Sequence, residues 1–336
     1  MSVTERIDGF QQRHRWLGFP LAVIYKFHDD QGAYLAALIT YYGFLSIVPL
    51  LLLATSTLGF LLQGDPAREQ QLLDTALRQF PVIGTELDGP TGLSGSGIAI
   101  GIGIAGALYG ALGVAQAAQN AMNIAWAVPR NRRPDPFTSR LRSGLLLITA
   151  GLAILATTVL TVVGSNLSSL GGVLGVALQW GAILIGVAVN ALVFVFAFRL
   201  LTATRLTVRE VAPGAITAAV LWQLLQTAGV AYVNNVVRTA GDTNGVFALV
   251  LGLMAWIYVG AIALVVCVEV NVVRARHLYP RSLLTPFTDR VDLTKADRRA
   301  YTGYATAQRN KGFQTVDVDF EHEGQNASAH RREGKD

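Results

Sequence analysis

Charge is scarcest where the sequence is most continuous. Residues 246–268 contain no Asp, Glu, Lys, Arg or His, a run long enough for an α-helix to cross the ~30 Å hydrocarbon core of a bilayer. In the whole chain of 336 residues only 15% are charged and 52% are hydrophobic, against about 25% charged in soluble domains. A soluble enzyme is therefore excluded as the starting expectation. There is one cysteine, Cys267, so the chain forms neither an intrachain disulfide nor a thiolate metal cluster. It has no G-x-x-x-x-G-K-[ST] to cradle a nucleotide, and its histidines (14, 28, 277, 322 and 330) lie outside the apolar runs with no HExxH. The acidic run Asp317, Asp319, Glu321 and Glu323 lacks the glycine turn of a calcium loop. No cofactor and no metal are expected. A cleavable signal is not expected, because residues 1–32 are polar and mixed in charge, and insertion is expected to use the first membrane helix itself.

What is present is a series of long apolar runs. Six spans are expected, at about 33–62, 97–118, 144–164, 173–198, 211–233 and 246–268. They make an all-α integral membrane protein, a six-transmembrane-helix bundle over residues 33–276 with an N-terminal interfacial helix. Residues 1–32 read as a cytoplasmic amphipathic segment, broken near Gly18-Phe19-Pro20, with Asp29 and Asp30 capping the first span. Residues 277–336 read as a mostly disordered cytoplasmic tail in which 292–309 form a short helix. Pro49 marks a helix kink in the first span. Glycines spaced by four in the second, at 97/101 and 106/110, allow close helix approach. Residues 63–96 are expected to hold a short helix folded back on the bundle. Of the 27 Lys and Arg residues, 24 fall in the tails and even-numbered loops and 3 in the odd-numbered loops. Both termini are then cytoplasmic, and the net charge of +5 follows from topology and not from a nucleic-acid surface.

Within so apolar a bundle the polar residues stand out. Gln116, Asn120 and Asn123 share one helical face, with Gln119 adjacent. They are either hydrogen-bonding glue between helices or the lining of a polar path. Asn190, Gln223 and Gln226 are isolated and read as glue. Glu269 and Asn271 follow the uncharged run of the last span. Glu269 is either an interfacial ion pair with Arg199, Arg205 or Arg276, or a gate, proton or substrate site.

Four stretches together resemble the YihY/BrkB family of bacterial inner-membrane proteins, once labelled ribonuclease BN: AALITYYGFLSIVPLLLL (36–53), GVAQAAQNAMNIAWAVPRNRR (113–133), AVLWQLLQTAGVAYV (219–233) and GVFALVLGLMAWIYVGAIALVVCVEVN (245–271). Where that family shows Gly-Ala-Glu-x-Asn, this chain has Cys267-Val268-Glu269-Val270-Asn271, keeping the Glu and Asn but not the small pair. The resemblance implies a multi-pass plasma-membrane protein, described as a transporter with no settled substrate. The leading expectation is a transporter or facilitator for a lipid or other amphiphilic solute, with Gln116, Asn120, Asn123, Glu269 and Asn271 as its polar path. The alternative is a membrane scaffold for cell-envelope assembly without transport. Membrane lipids are the expected partners, with a homo-oligomer or envelope proteins as further ones and no nucleic acid. Ribonuclease activity is not expected, because no carboxylate cluster or acid/base pair is evident.

Overall fold

The computed structural model describes residues 3–61, 97–168, 172–232, 242–288 and 291–320, and every regular element among them is helical. Among the described residues two short helices, α1 (Val3–Arg13) and α2 (Arg15–Asp29), precede six long ones: α3 (Gly32–Leu61), α4 (Gly97–Ala125), α5 (Pro136–Ser168), α6 (Gly172–Leu201), α7 (Val208–Tyr232) and α8 (Asp242–Ala275). Helix α9 (Lys295–Ala307) follows. The expected short helix of residues 63–96 lies outside the described residues.

The six long helices pack in chain order, each on the next, and α8 returns to α3, so they close a ring; α4 also touches α6 and α8 across it. The most extensive contact is α3 with α4, and small residues explain it. Gly106, Gly110 and Gly113 on α4 meet Pro49, Ser46 and Tyr42 on α3 so closely that a Cβ at 110 or 113 would overlap the facing residue. Pro49 sits inside an unbroken α3 and fills the space over Gly106. The removal of side-chain bulk along one stripe, at spacings of four and three, is what lets the two backbones approach.

Outward faces are apolar. Leu141, Ile148, Leu152 and Leu155 on α5, and Leu184, Ile185 and Leu192 on α6, are exposed, an arrangement that water would not tolerate and lipid does. Among the described residues four segments are long and apolar enough to cross a bilayer: Pro136–Thr157, Trp180–Leu201, Val208–Gly229 and Val250–Ala275. The chain is a multi-pass membrane protein.

Three local expectations are corrected. The break in the N-terminal segment falls at His14 and not at Gly18-Phe19-Pro20, since α2 runs through an exposed Pro20. Its missing N–H costs a single bond near the helix start. Asp29 and Asp30 do not cap α3: the first turns to Arg281 and the second to Lys26. Both carboxylates find a cation, a stronger partner than a free amide. The tail, expected to be mostly disordered, is ordered around Arg281 and Ser282, and the short helix expected at 292–309 is α9. Arg281, Ser282, Ala296, Asp297 and Ala300 are buried, and α9 opens with a capping box between Thr294 and Asp297.

Candidate functional site

The ionisable groups that the bundle excludes gather where α2 and α9 cover the end of α8. Lys26 and Asp30, one turn apart at the end of α2, are joined in an ion pair, and the Lys26 ammonium lies 3.6 Å from Glu269 Oε2. The Lys26 and Asp30 side chains are each 2% exposed and that of Glu269 is 0% exposed. Glu269 reaches this position because α8 continues as a helix beyond the apolar run to Ala275, carrying its carboxylate under α2. Neither Glu269 carboxyl oxygen has a hydrogen-bond partner among the described residues. The cation predicted for it from the arginines of the neighbouring loops is instead a lysine from the amphipathic N-terminal segment. Arg199 donates to the Leu206 carbonyl at 2.9 Å, and Arg276 lies over the Trp126 ring at 5.8 Å.

A second set of charges locks the cover in place. Arg281 is 1% exposed and donates from Nε to Asp297 at 2.7 Å and from Nη1 to Asp29 at 2.6 Å. Asp297 also accepts from the backbone N–H of Ser282 and Thr294, both at 3.0 Å. Gln11 of α1 donates to the Arg281 carbonyl at 2.6 Å, and the Tyr25 hydroxyl donates to the Leu283 carbonyl at 2.6 Å. Tyr304 of α9 donates to Asp29 at 3.2 Å and sets its ring 5.1 Å from the Lys26 ammonium. Burial opposes the Arg281 charge, but Asp297 and Asp29 more than offset it and hold the guanidinium above its ordinary value. Burial also raises the Tyr304 hydroxyl, with Asp30 and Asp29 acting in the same sense. For Asp30, burial raises the carboxyl above the usual range despite the opposing Lys26 charge.

The predicted path residues are placed separately. Asn271 is buried and its Oδ1 accepts the Gly214 N–H at 2.6 Å, tying α8 to α7. Asn123, also buried, accepts the Ala203 N–H at 2.9 Å just past the end of α6. Asn120 accepts from Arg133 at 3.3 Å, and Gln119 holds Ser139 and Ser143 of α5, the latter at 2.8 Å. Gln116 is exposed. Only Glu269 joins the charged cluster, with Asn271 two residues along the same helix. Sequence reasoning missed Lys26, Asp30, Arg281 and Asp297. The available signal was Lys26 with Asp29 and Asp30 at i+3 and i+4, ion-pair spacings that end a largely aromatic and apolar stretch.

Comparison with known proteins follows this geometry. The family described as Virulence factor BrkB matches residues 23–290. The ribonuclease-like protein YfkH of Bacillus subtilis (strain 168) is 28% identical over 268 residues, covering 74% of this chain and 90% of its own length. No solved structure matches the chain.

Proposed function

The chain belongs to the BrkB virulence factor family, and from that premise we propose that it is a plasma-membrane facilitator for a lipid or other amphiphilic solute, with its charged cluster as the cytoplasmic end of the route. All six long helices cross the bilayer in this reading, α1 and α2 lie at the cytoplasmic interface, and both termini are cytoplasmic, in keeping with the skew of Lys and Arg. One observation carries the proposal: Glu269 is fully buried at the end of an apolar helix, and its carboxyl oxygens have no hydrogen-bond partner among the described residues. A purely structural bundle gains nothing from such a group, because a buried carboxylate is costly and an apolar residue packs as well. A group retained at that cost is a candidate for handling a polar or charged part of a solute. The route would run from Glu269 and Asn271 toward Asn123, Asn120 and Gln116. No cofactor enters this reading, and membrane lipid is the partner.

The name of the YfkH relative raises RNA hydrolysis. We do not propose it, since the carboxylates of Glu269 and Asp297 are 0% exposed, out of reach of a polymer.

The scaffold reading draws support from a specific observation: Asn123 and Asn271 each bond to a neighbouring backbone N–H, the behaviour of helix glue. Lipid exchange between leaflets of proteoliposomes separates the two, comparing the native chain with Asn120→Leu/Asn123→Leu at equal reconstitution. We expect fast exchange by the native chain and its loss in the double variant. The variant should also be less stable by about 1–3 kcal/mol, because the Ala203 N–H is left unpaired. Exchange at the native rate by the folded variant would remove these two residues from the route, and no exchange by the native chain would leave the scaffold.

A further inference from the structure

The charged cluster holds more carboxylates than its cation can satisfy. Lys26 supplies one ammonium to Asp30 and Glu269, so the three ionised groups carry one excess negative charge in a site with side-chain exposures of 2% or less. The ammonium is committed to Asp30 and stands 3.6 Å from Glu269, and neither Glu269 oxygen has a hydrogen-bond partner among the described residues. Among the described residues no other element makes up the difference. Helices α3 and α4, which pack on α8, contain no Asp, Glu, Lys, Arg or His. On α7, Glu210 accepts from Thr207 and the Arg209 carbonyl accepts from Arg274. Arg281 is engaged by Asp29 and Asp297, and α9 presents the Tyr304 ring and hydroxyl.

We propose that Asp30 and Glu269 form a proton-binding site in which the two carboxylates hold one proton between them, with Lys26 as the fixed counter-charge. Proton uptake converts one carboxylate into a carboxylic acid; the proton comes from an acid in the cytoplasmic-side water and returns there on release. The loaded cluster is electrically neutral, and the acid O–H supplies a donor where the ionised pair has only acceptors. Asp29, 17% exposed and adjacent to Asp30, is the route by which water reaches the pair. The upward displacement of the Asp30 carboxyl by burial agrees with this geometry. Because its folded-state value is raised, the folded chain binds the proton more tightly than the unfolded chain. Stability therefore falls as pH rises from the ordinary carboxylate range through the raised value, and levels off above it. The consequence that solute passage is coupled to protons rests on the facilitator reading; the binding site itself does not.

The test reads protonation and not flux. Infrared difference spectra of the full chain in liposomes, titrated with pH, should show a protonated-carboxyl stretching band with a midpoint above the ordinary carboxylate range. The band should be lost in Asp30→Asn and in Glu269→Gln, either of which leaves the remaining carboxylate paired with Lys26. Its persistence unchanged in both variants, or its absence from the native chain at every pH at which the fold is intact, would overturn the site. Glu269→Gln removes a charge from a dry position and keeps the test decisive if Asp30→Asn does not assemble. A proton band together with no lipid exchange would sink the facilitator reading alone, and exchange with no band would sink the proton site alone.

Discussion

Arg281→Met is expected to destabilise the protein by about 3–5 kcal/mol, the cost typical of removing one partner from a buried ion pair. Arg281 is 1% exposed and serves Asp29 and Asp297 together, so its removal leaves two carboxylates without their cation. Asp297 keeps its bonds from Ser282 and Thr294, whereas Asp29 retains the Tyr304 hydroxyl. The penalty should consequently be relieved by neutralising the carboxylates: Arg281→Met with Asp297→Asn should recover part of the loss, and the two effects should fail to add. Arg281→Lys should fall between native and Met, because one ammonium cannot serve two carboxylates in the planar geometry of a guanidinium. Thermal unfolding in a fixed detergent measures all three. A loss below about 1 kcal/mol for Arg281→Met, the magnitude of an exposed pair, would mean that the segment after α8 does not clamp α2.

Gly214→Val is the second large effect. A Cβ at this position would overlap the Cys267 carbonyl oxygen and the Asn271 carboxamide, so α7 and α8 must separate to admit any side chain. Overpacking costs about 1–3 kcal/mol, and breaking the 2.6 Å bond from the Gly214 N–H to Asn271 leaves buried polar groups unpaired at about a further 1–3 kcal/mol. Gly260→Ala is the matched control. It lies inside α8 with nothing within 4 Å of the added Cβ, so it should gain about 0.5–1 kcal/mol from helix propensity. Equal effects at the two positions in a thermal-unfolding series would show that the α7–α8 crossing is not as close as described.

Helix content was readable because it rests on uninterrupted apolar runs, a signal that needs no knowledge of neighbours. The same holds for Gly106 and Gly110 of α4, whose spacing of four is visible in one dimension, although their target on α3 is not; Gly101, expected to share in the close approach, has nothing within 4 Å. The charged cluster was legible only by halves. Glu269 stood out as the first carboxylate after a long neutral run. Its partner is 243 residues earlier in the chain, on a segment whose aromatic and basic residues read as an interfacial helix and give no sign of a contact with the last span. Arg281 and Asp297 were hidden by composition: their surroundings are polar and mixed in charge, which resembles a disordered tail until the pairing of Arg281 with α2 is seen. Asn123 and Asn271 stand out in the sequence as polar groups in an apolar bundle, and their partners are the backbone N–H groups of Ala203 and Gly214. A backbone amide leaves no mark in the sequence.

Glu269→Gln tests the central claim most directly, through lipid exchange in proteoliposomes alongside thermal stability. The substitution keeps the shape of the side chain and leaves Lys26 paired with Asp30, so the cluster loses its excess charge without losing its packing. If Glu269 is retained for function and not for the fold, the variant is at least as stable as the native chain and no longer exchanges lipid. Exchange at the native rate, or a loss of stability comparable to that of Arg281→Met, would contradict the account and make Glu269 a structural residue.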